Sequence, residues 1–269
     1  MASNLKQRLS VAIPVIALLL YILFYHPFLF FILVSVIILR TLWEFFNLYK
    51  GKQESFKSSA MLLSILYCYV AWYHPQYTEL AVVIALCAFF ILQACIKSNE
   101  KGMEKISLSF TGFFYICVMS AYTFKLYNLN PEIPMWGPSL VFWSFFICKF
   151  SDATAYFGGV RYGKHKMIKR ISPNKSWEGL FFGILGGVVP FILIQKIEGF
   201  TMFSAFMFCL CVTLAAVIGD LIESMLKREM NVKDAANDIP AFGGTFDMID
   251  SVIISMPLAY YFAYFLIKV

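Results

Sequence analysis

Charge is scarce in this sequence. Asp, Glu, Lys and Arg together make up 14% of the 269 residues, while hydrophobic residues make up 60%. With a mean hydropathy of +0.73, the chain lies far from the composition of a soluble globular domain. Histidine is also scarce: His26, His74 and His165 are scattered, which argues against a zinc cluster. The seven cysteines form no CxxC pair, are odd in number and fall almost wholly inside apolar runs, so neither a disulfide framework nor a thiolate metal site is expected. No internal repeat and no low-complexity tract is present, and nothing suggests a nucleic-acid partner.

What fills the chain instead is a succession of apolar runs long enough to cross a bilayer at about 1.5 Å per residue. Punctuated by His26-Pro27, His74-Pro75, Asn130-Pro131 and Gly137-Pro138, they predict helices over 9–25, 27–46, 59–74, 78–96, 107–125, 136–158, 178–195, 202–222 and 250–267. The expected fold class is all-α, a polytopic integral membrane helical bundle of about nine transmembrane helices. One integral domain over 1–269 is expected, with 1–135 supplying N-terminal helices and 136–269 the helices and loops that carry chemistry. The first run follows Lys6 and Arg8 but has no small-x-small site before Tyr25-His26-Pro27, so it reads as an uncleaved helix.

Lys and Arg of short loops stay on the cytoplasmic side. With the N-terminus inside, 17 of the 22 basic residues fall in inner segments. The bias predicts N-in and C-out, in a multi-pass protein of the cell (inner) membrane, with its polar segments facing the cytoplasm.

Two polar segments stand out against this background. At the end of the eighth span, Asp220, Glu223, Ser224 and Lys227 follow at i, i+3, i+4 and i+7, which puts all four on one helix face. Asp247 and Asp250 repeat the i, i+3 spacing where the ninth span begins. Carboxylates are costly in hydrocarbon, and two acid pairs at facing helix ends can converge on a hard cation that also takes phosphate oxygens. Taken singly, each has a blander role: Glu223 and Lys227 as an i, i+4 pair, Asp247 as a helix cap. Taken together, the four favour a metal site, with Asp220 and Asp247 as the principal ligands.

The second segment runs from Ser151 to Gly179. Between Asp152 and Glu178 it carries six Lys or Arg, one His and no acid. An ordinary inner loop gripping anionic headgroups would look similar. Gly158, Gly159 and Gly163, followed by Ser172-Pro173-Asn174-Lys175-Ser176, also suit a backbone that closes around phosphates. A basic segment for polyphosphate beside carboxylates for Mg²⁺ is what phosphoryl or nucleotidyl transfer requires.

These residues resemble a family. Ser224-x-Leu226-Lys227-Arg228, Lys233-Asp234, Pro240-x-x-Gly243-Gly244 and Asp247-x-x-Asp250 keep the spacing of the C-terminal signature of phosphatidate cytidylyltransferases, the CDP-diglyceride synthases. Asp152-x-x-Ala155-Tyr156 and Ser172 to Gly179 are similar to upstream family segments. Two positions depart: Phe242 stands where the signature has His, and Met248 where it has Arg. The resemblance implies transfer of CMP from CTP to phosphatidate, with one or two Mg²⁺ ions as cofactor. It casts Asp220, Lys227, Arg228, Asp247 and Asp250 as catalytic, and Lys175, Ser176, Ser224, Lys233, Asp234, Gly243 and Gly244 as substrate-binding. Asp220, Glu223, Asp247 and Asp250 are the metal set. The bilayer is an implied partner, and a homodimer is an arrangement the sequence allows. Lys149, inside the sixth span, fits a cavity residue and a snorkelling cation equally well. Trp43 and Glu44 fit an interfacial anchor or pair. The rival classes are another membrane lipid-phosphate transferase, or a lipid transporter or scramblase whose groove conducts headgroups.

Overall fold

The structure is a computed structural model. It describes residues 2–49, 54–96, 101–133, 135–168, 170–197, 199–230, 232 and 244–268, with side chains between 14 and 266. Lys233, Asp234, Phe242 and Gly243 therefore lie outside the described residues.

The helices fall where the apolar runs place them. Helix α1 (Ala2–Tyr25) gives way to α2 (Pro27–Leu48) at His26, with Pro27 in the first turn, where its missing N–H costs nothing. Helix α3 (Lys57–Tyr73) ends before His74-Pro75, and a 3₁₀ turn at Pro75–Tyr77 leads into α4 (Thr78–Ala94). Before α3, Glu54 pairs with Lys105 at 2.5 Å, and this hydrogen bond holds its carboxyl below the usual range. The fifth rod is continuous but not uniform: α5 (Gly102–Gly112) passes through a π-helical stretch, Phe113–Val118, into α6 (Met119–Tyr127). Helix α7 spans Trp136–Tyr162, and α8 (Trp177–Val188) is followed by the short α9 (Phe191–Ile194). Helices α10 (Met202–Glu229) and α11 (Thr245–Lys268) complete the bundle.

Among the described residues, six helical segments are long and apolar enough to cross a membrane. Large apolar side chains such as Leu18, Val36, Leu62, Ile91 and Phe203 are exposed along the rods, as lipid-facing residues of a multi-pass membrane protein are. The fold is a polytopic helical membrane protein.

One element departs from the expected loop. Strands β1 (Lys166–Ile168) and β2 (Ser172–Ser176) form an antiparallel hairpin between α7 and α8, pairing Lys166 with Ser176 and Ile168 with Ser172 around a bulge. Its entry is fixed by Glu178, which accepts hydrogen bonds from the backbone N–H groups of Lys164 and His165 and lies 2.6 Å from His165 Nδ1. Helix α7 also runs past its expected end at 158, so Gly158 and Gly159 are helical. Gly158 serves packing: a Cβ there would lie 2.5 Å from Phe182 side-chain atoms. The glycines expected in a phosphate loop thus let α7 and α8 approach, while Gly159 and Gly163 still face a cavity.

Two apolar cores hold the bundle. One joins α2 to α6 around Phe45, Phe89 and Phe113 and takes in Leu226 and Phe246; the other joins α7, α10 and α11 around Leu140, Phe208 and Ala259. Helices α10 and α11 contribute to both. The acids Asp220 and Glu223 lie on α10, and Asp247 and Asp250 on α11.

Candidate active site

Helices α10 and α11 meet closely because Gly219 has no side chain: a Cβ there would lie 2.5 Å from the Asp250 carbonyl oxygen. That approach brings acids of the two helices together. Asp220, Glu223 and Asp250 each offer a carboxylate oxygen within 4.8 Å of the others. Glu223 is almost fully buried, at 1% exposure. Asp247, one turn before Asp250, joins the group through a side-chain contact with Glu223. The four acids chosen from the sequence therefore converge, with Asp247 at the edge of the other three.

Cations compensate this charge. Lys227 Nζ lies 2.6 Å from Glu223 and 2.9 Å from Asp247, so the i, i+4 pair and the inter-helix pair share one ammonium. The second Asp247 oxygen accepts the Gly244 N–H at 2.8 Å, capping α11. Lys175, from β2, reaches Asp220 at 2.5 Å. Lys149 lies 3.5 Å from Asp152 and 3.9 Å from Asp250 and donates to Ser251 Oγ at 3.1 Å. Its ammonium therefore turns inward. Ser251 in turn donates to Asp152 at 3.2 Å.

Beside the acids a cavity of about 660 Å³ opens between α7, α8, α10 and the hairpin. Asp152, Asp220, Lys166, Asn174, Lys175 and Ser176 line it, with Gly159 and Gly179 admitting close approach to backbone. Asp220 belongs to both the cavity and the acid group, and so joins them. The Ser176 hydroxyl caps α8 by accepting the Gly179 N–H at 3.1 Å. The N-terminus of α8 thus borders the cavity, and partial positive charge there favours anions.

Not every residue chosen from the sequence reaches this centre. Arg228 is exposed at the end of α10 and donates to the carbonyls of Ile171 and Val232 at 3.2 and 3.3 Å, bracing the hairpin. Ser224 is half-buried beside Glu223. Gly244 supplies the N–H that holds Asp247.

Other residues of the site were not chosen from the sequence. Glu44, 1% exposed on α2, accepts from Thr245 Oγ1 and Phe246 N, both at 2.8 Å, and pairs with Arg40 at 3.2 Å. It holds the first turn of α11 and hence Asp247. Tyr115, in the π-helical stretch, buries a hydroxyl that has no hydrogen-bond partner among the described residues. Asp250, Glu223 and Asp220 are its charged neighbours. The signal that could have found Glu44 is an acid inside an apolar run; Tyr115 carries none, being one of 15 tyrosines.

A buried carboxylate group beside a lysine-lined, anion-favouring cavity, all within a helical membrane bundle, defines a membrane-embedded protein suited to polyphosphate chemistry. The chain matches the model of the cytidylyltransferase family over residues 6–266, and it belongs to that family. It is 28% identical to the phosphatidate cytidylyltransferase of Haemophilus influenzae, over 98% of this chain and 100% of that protein. It is 27% identical to that of Bacillus subtilis, over 96% and 97%. It is also 40% identical to the chloroplastic phosphatidate cytidylyltransferase 5 of Arabidopsis thaliana over a shorter stretch, 42% of this chain and 28% of that protein.

Proposed function

We propose that this protein transfers CMP from CTP to phosphatidate, giving CDP-diacylglycerol and pyrophosphate. The observation that carries this reading is Asp220, whose carboxylate belongs at once to the acid group and to the lysine-lined cavity. Membership of the cytidylyltransferase family and the names of the relatives support it.

The donor set fits Mg²⁺: three carboxylate oxygens from two helices, mutually within 4.8 Å, match a hard cation that prefers oxygen ligands and leaves positions for phosphate. Asp220, Glu223 and Asp250 would hold it, with Asp247 adjoining through Glu223. Bound there, Mg²⁺ would draw in phosphate oxygens and offset their charge.

The remaining work falls to the chain. Lys175, Lys166 and the N-terminus of α8 would seat the triphosphate in the cavity. Lys175 would then exchange Asp220 for a phosphate oxygen, leaving that carboxylate free. A phosphatidate oxygen would attack the α-phosphorus of CTP, forming a new P–O bond as the bond to the β-phosphate oxygen breaks and pyrophosphate leaves. Phosphatidate is already ionised near neutral pH, with a second pKa of about 6, so no strong base is needed at the attacking oxygen. Phe242 in place of the family His is then tolerable. Lys227 would fix Glu223 and Asp247, while Lys149 offsets Asp152 and Asp250. The positive-inside bias favours a site at the cytoplasmic face of the inner membrane, where CTP is available and the acyl chains of phosphatidate can stay in the bilayer.

The test is pyrophosphate release by the purified chain in detergent micelles with CTP, phosphatidate and Mg²⁺, each omitted in turn. Release that needs all three, with a CDP-lipid as co-product, is expected. Release without phosphatidate, or none from folded protein, would overturn the reading.

A further inference from the structure

A second cavity, of about 350 Å³, lies between α3, α4, α6 and α11. Its far end lies away from the acids: Tyr261 in its wall is about 16 Å further along α11 than Asp250, at ~1.5 Å per residue. Val82 and Phe114 provide apolar walls, and its polar groups are Tyr67, Thr78, Glu79, Tyr122, Lys125 and Tyr261; the Thr78 hydroxyl already donates to the Pro75 carbonyl at 2.8 Å.

The two charges in this cavity have opposite sign and are left apart. Lys125 and Glu79 feel one another electrostatically, yet among the described residues neither is in an ion pair. Lys125 instead rests over the rings of Tyr122 and Tyr260, at 4.9 and 5.8 Å, and is half-buried. A cationic head over aromatic faces in an apolar setting remains short of a counter-charge. The Tyr122 and Tyr261 hydroxyls lie 2.9 Å apart. One proton joins them, so the second O–H can donate to another acceptor. On the same helix as Glu79, Leu80 and Val83 are 56% and 57% exposed, extending an apolar surface away from the cavity.

A cation, a free phenol donor and a separate carboxylate facing one cavity, beside apolar surface, match a molecule that carries phosphate, ammonium and hydrocarbon together. We propose that this cavity binds a zwitterionic phospholipid with a primary-amine headgroup. Its phosphate pairs with Lys125 and accepts from the Tyr122 and Tyr261 pair, its ammonium pairs with Glu79, and its acyl chains lie along α4. Lysine binds phosphate as a point charge, and Glu79 selects for the amine over a neutral or anionic headgroup. This inference does not rest on the reaction proposed above.

The test is native mass spectrometry of the full chain in non-ionic detergent, titrated with phosphatidylethanolamine or phosphatidylglycerol. The expected preference for the amine lipid is roughly fivefold, the ratio that a single half-exposed ion pair supplies. Glu79→Gln should abolish that preference while leaving phosphatidylglycerol retention unchanged, and Lys125→Met should weaken both lipids. Glu79 is exposed, so its variant is expected to fold and carries the test should Lys125→Met fail to. Equal retention of the two lipids by the unaltered chain, or a preference that survives Glu79→Gln, would overturn the proposal and leave only non-selective boundary lipid.

Discussion

Lys227 on α10 and Asp247 on α11 are joined at 2.9 Å, and the same ammonium lies 2.6 Å from Glu223. One lysine thus ties two helices and two acids. Its side chain is 14% exposed, and those of Glu223 and Asp247 are 2% and 13% exposed. Removing one member of such a buried group leaves charge uncompensated, which costs about 3–5 kcal/mol. Lys227→Met is therefore expected to lower the thermal midpoint and to cut turnover by about 10²-fold or more. A variant as stable and active as the unaltered protein would show that the bridge is dispensable; unfolding by differential scanning fluorimetry beside a pyrophosphate assay reads both.

The acids divide by position. Asp220 and Asp250 lie within the three-oxygen group, whereas both oxygens of Asp247 are engaged, one by Lys227 and one by the Gly244 N–H. Asp220→Asn and Asp250→Asn should raise the Mg²⁺ concentration needed for half-maximal rate by roughly tenfold, about 1.4 kcal/mol of lost affinity. Asp247→Asn should reduce kcat severely in folded protein while moving that midpoint little. A magnesium titration of the three variants separates them; a shift confined to Asp247→Asn would invert the assignment.

Much of this centre is legible in the sequence, for a physical reason. Carboxylates in an apolar helix are expensive, so Asp220, Glu223, Asp247 and Asp250 stand out, and i, i+3 spacing fixes their common face. Helix boundaries follow from Pro27 and Pro75, which cannot continue the preceding helix. Other features depend on contacts that spacing does not encode. Glu44 caps a helix that begins about 200 positions later. The Lys149 head is turned inward by Ser251 and Asp250 of α11 together with Asp152 of its own helix, and periodicity along α7 cannot choose between cavity and headgroup. Tyr115 is one of 15 tyrosines, and only the packing of the π-helical stretch sets it apart. The hairpin is too short for an alternating pattern, and Glu178 fixes it from outside both strands.

Gly219 offers a test of geometry without touching charge. A methyl group there would press on the Asp250 carbonyl oxygen at 2.5 Å and on Ser251 Cα at 3.2 Å, forcing α10 and α11 apart at the acids. Overpacking of this kind costs about 1–3 kcal/mol, and displacing reacting groups by about 1 Å can cost 10²-fold in rate. Gly219→Ala is expected to lose far more activity than stability. Retention of full rate would mean that the spacing of the two helices does not govern the site.

Glu44 acts at one remove, by holding Thr245 and Phe246. Glu44→Gln keeps an acceptor but loses the charge that faces Arg40, and hydrogen bonds to charged groups are worth about 1.5–3 kcal/mol. The expected result is a lower thermal midpoint with a fall in kcat and an unchanged KM for CTP, because the cavity is built by α7, α8, α10 and the hairpin. A rise in KM with kcat intact would place Glu44 in nucleotide binding instead.

Tyr115 carries the sharpest contrast between structural and functional roles. Its hydroxyl is buried, has no hydrogen-bond partner among the described residues and feels the charge of three carboxylates, Asp250, Glu223 and Asp220. A buried hydroxyl left unsatisfied costs about 1–3 kcal/mol, so if it served packing alone, Tyr115→Phe would leave the protein equally or more stable and equally active. If the O–H donates to a phosphate oxygen as charge shifts between the phosphates, the same change leaves stability untouched or improved while kcat falls by about tenfold, the effect of one lost neutral donor near 1.4 kcal/mol. The second outcome is expected, because the residue keeps a polar atom at a position where phenylalanine would fit, beside a site from which the family His is missing. Thermal unfolding and steady-state rates of the single variant decide it, and an unchanged kcat with a higher midpoint would assign Tyr115 to packing.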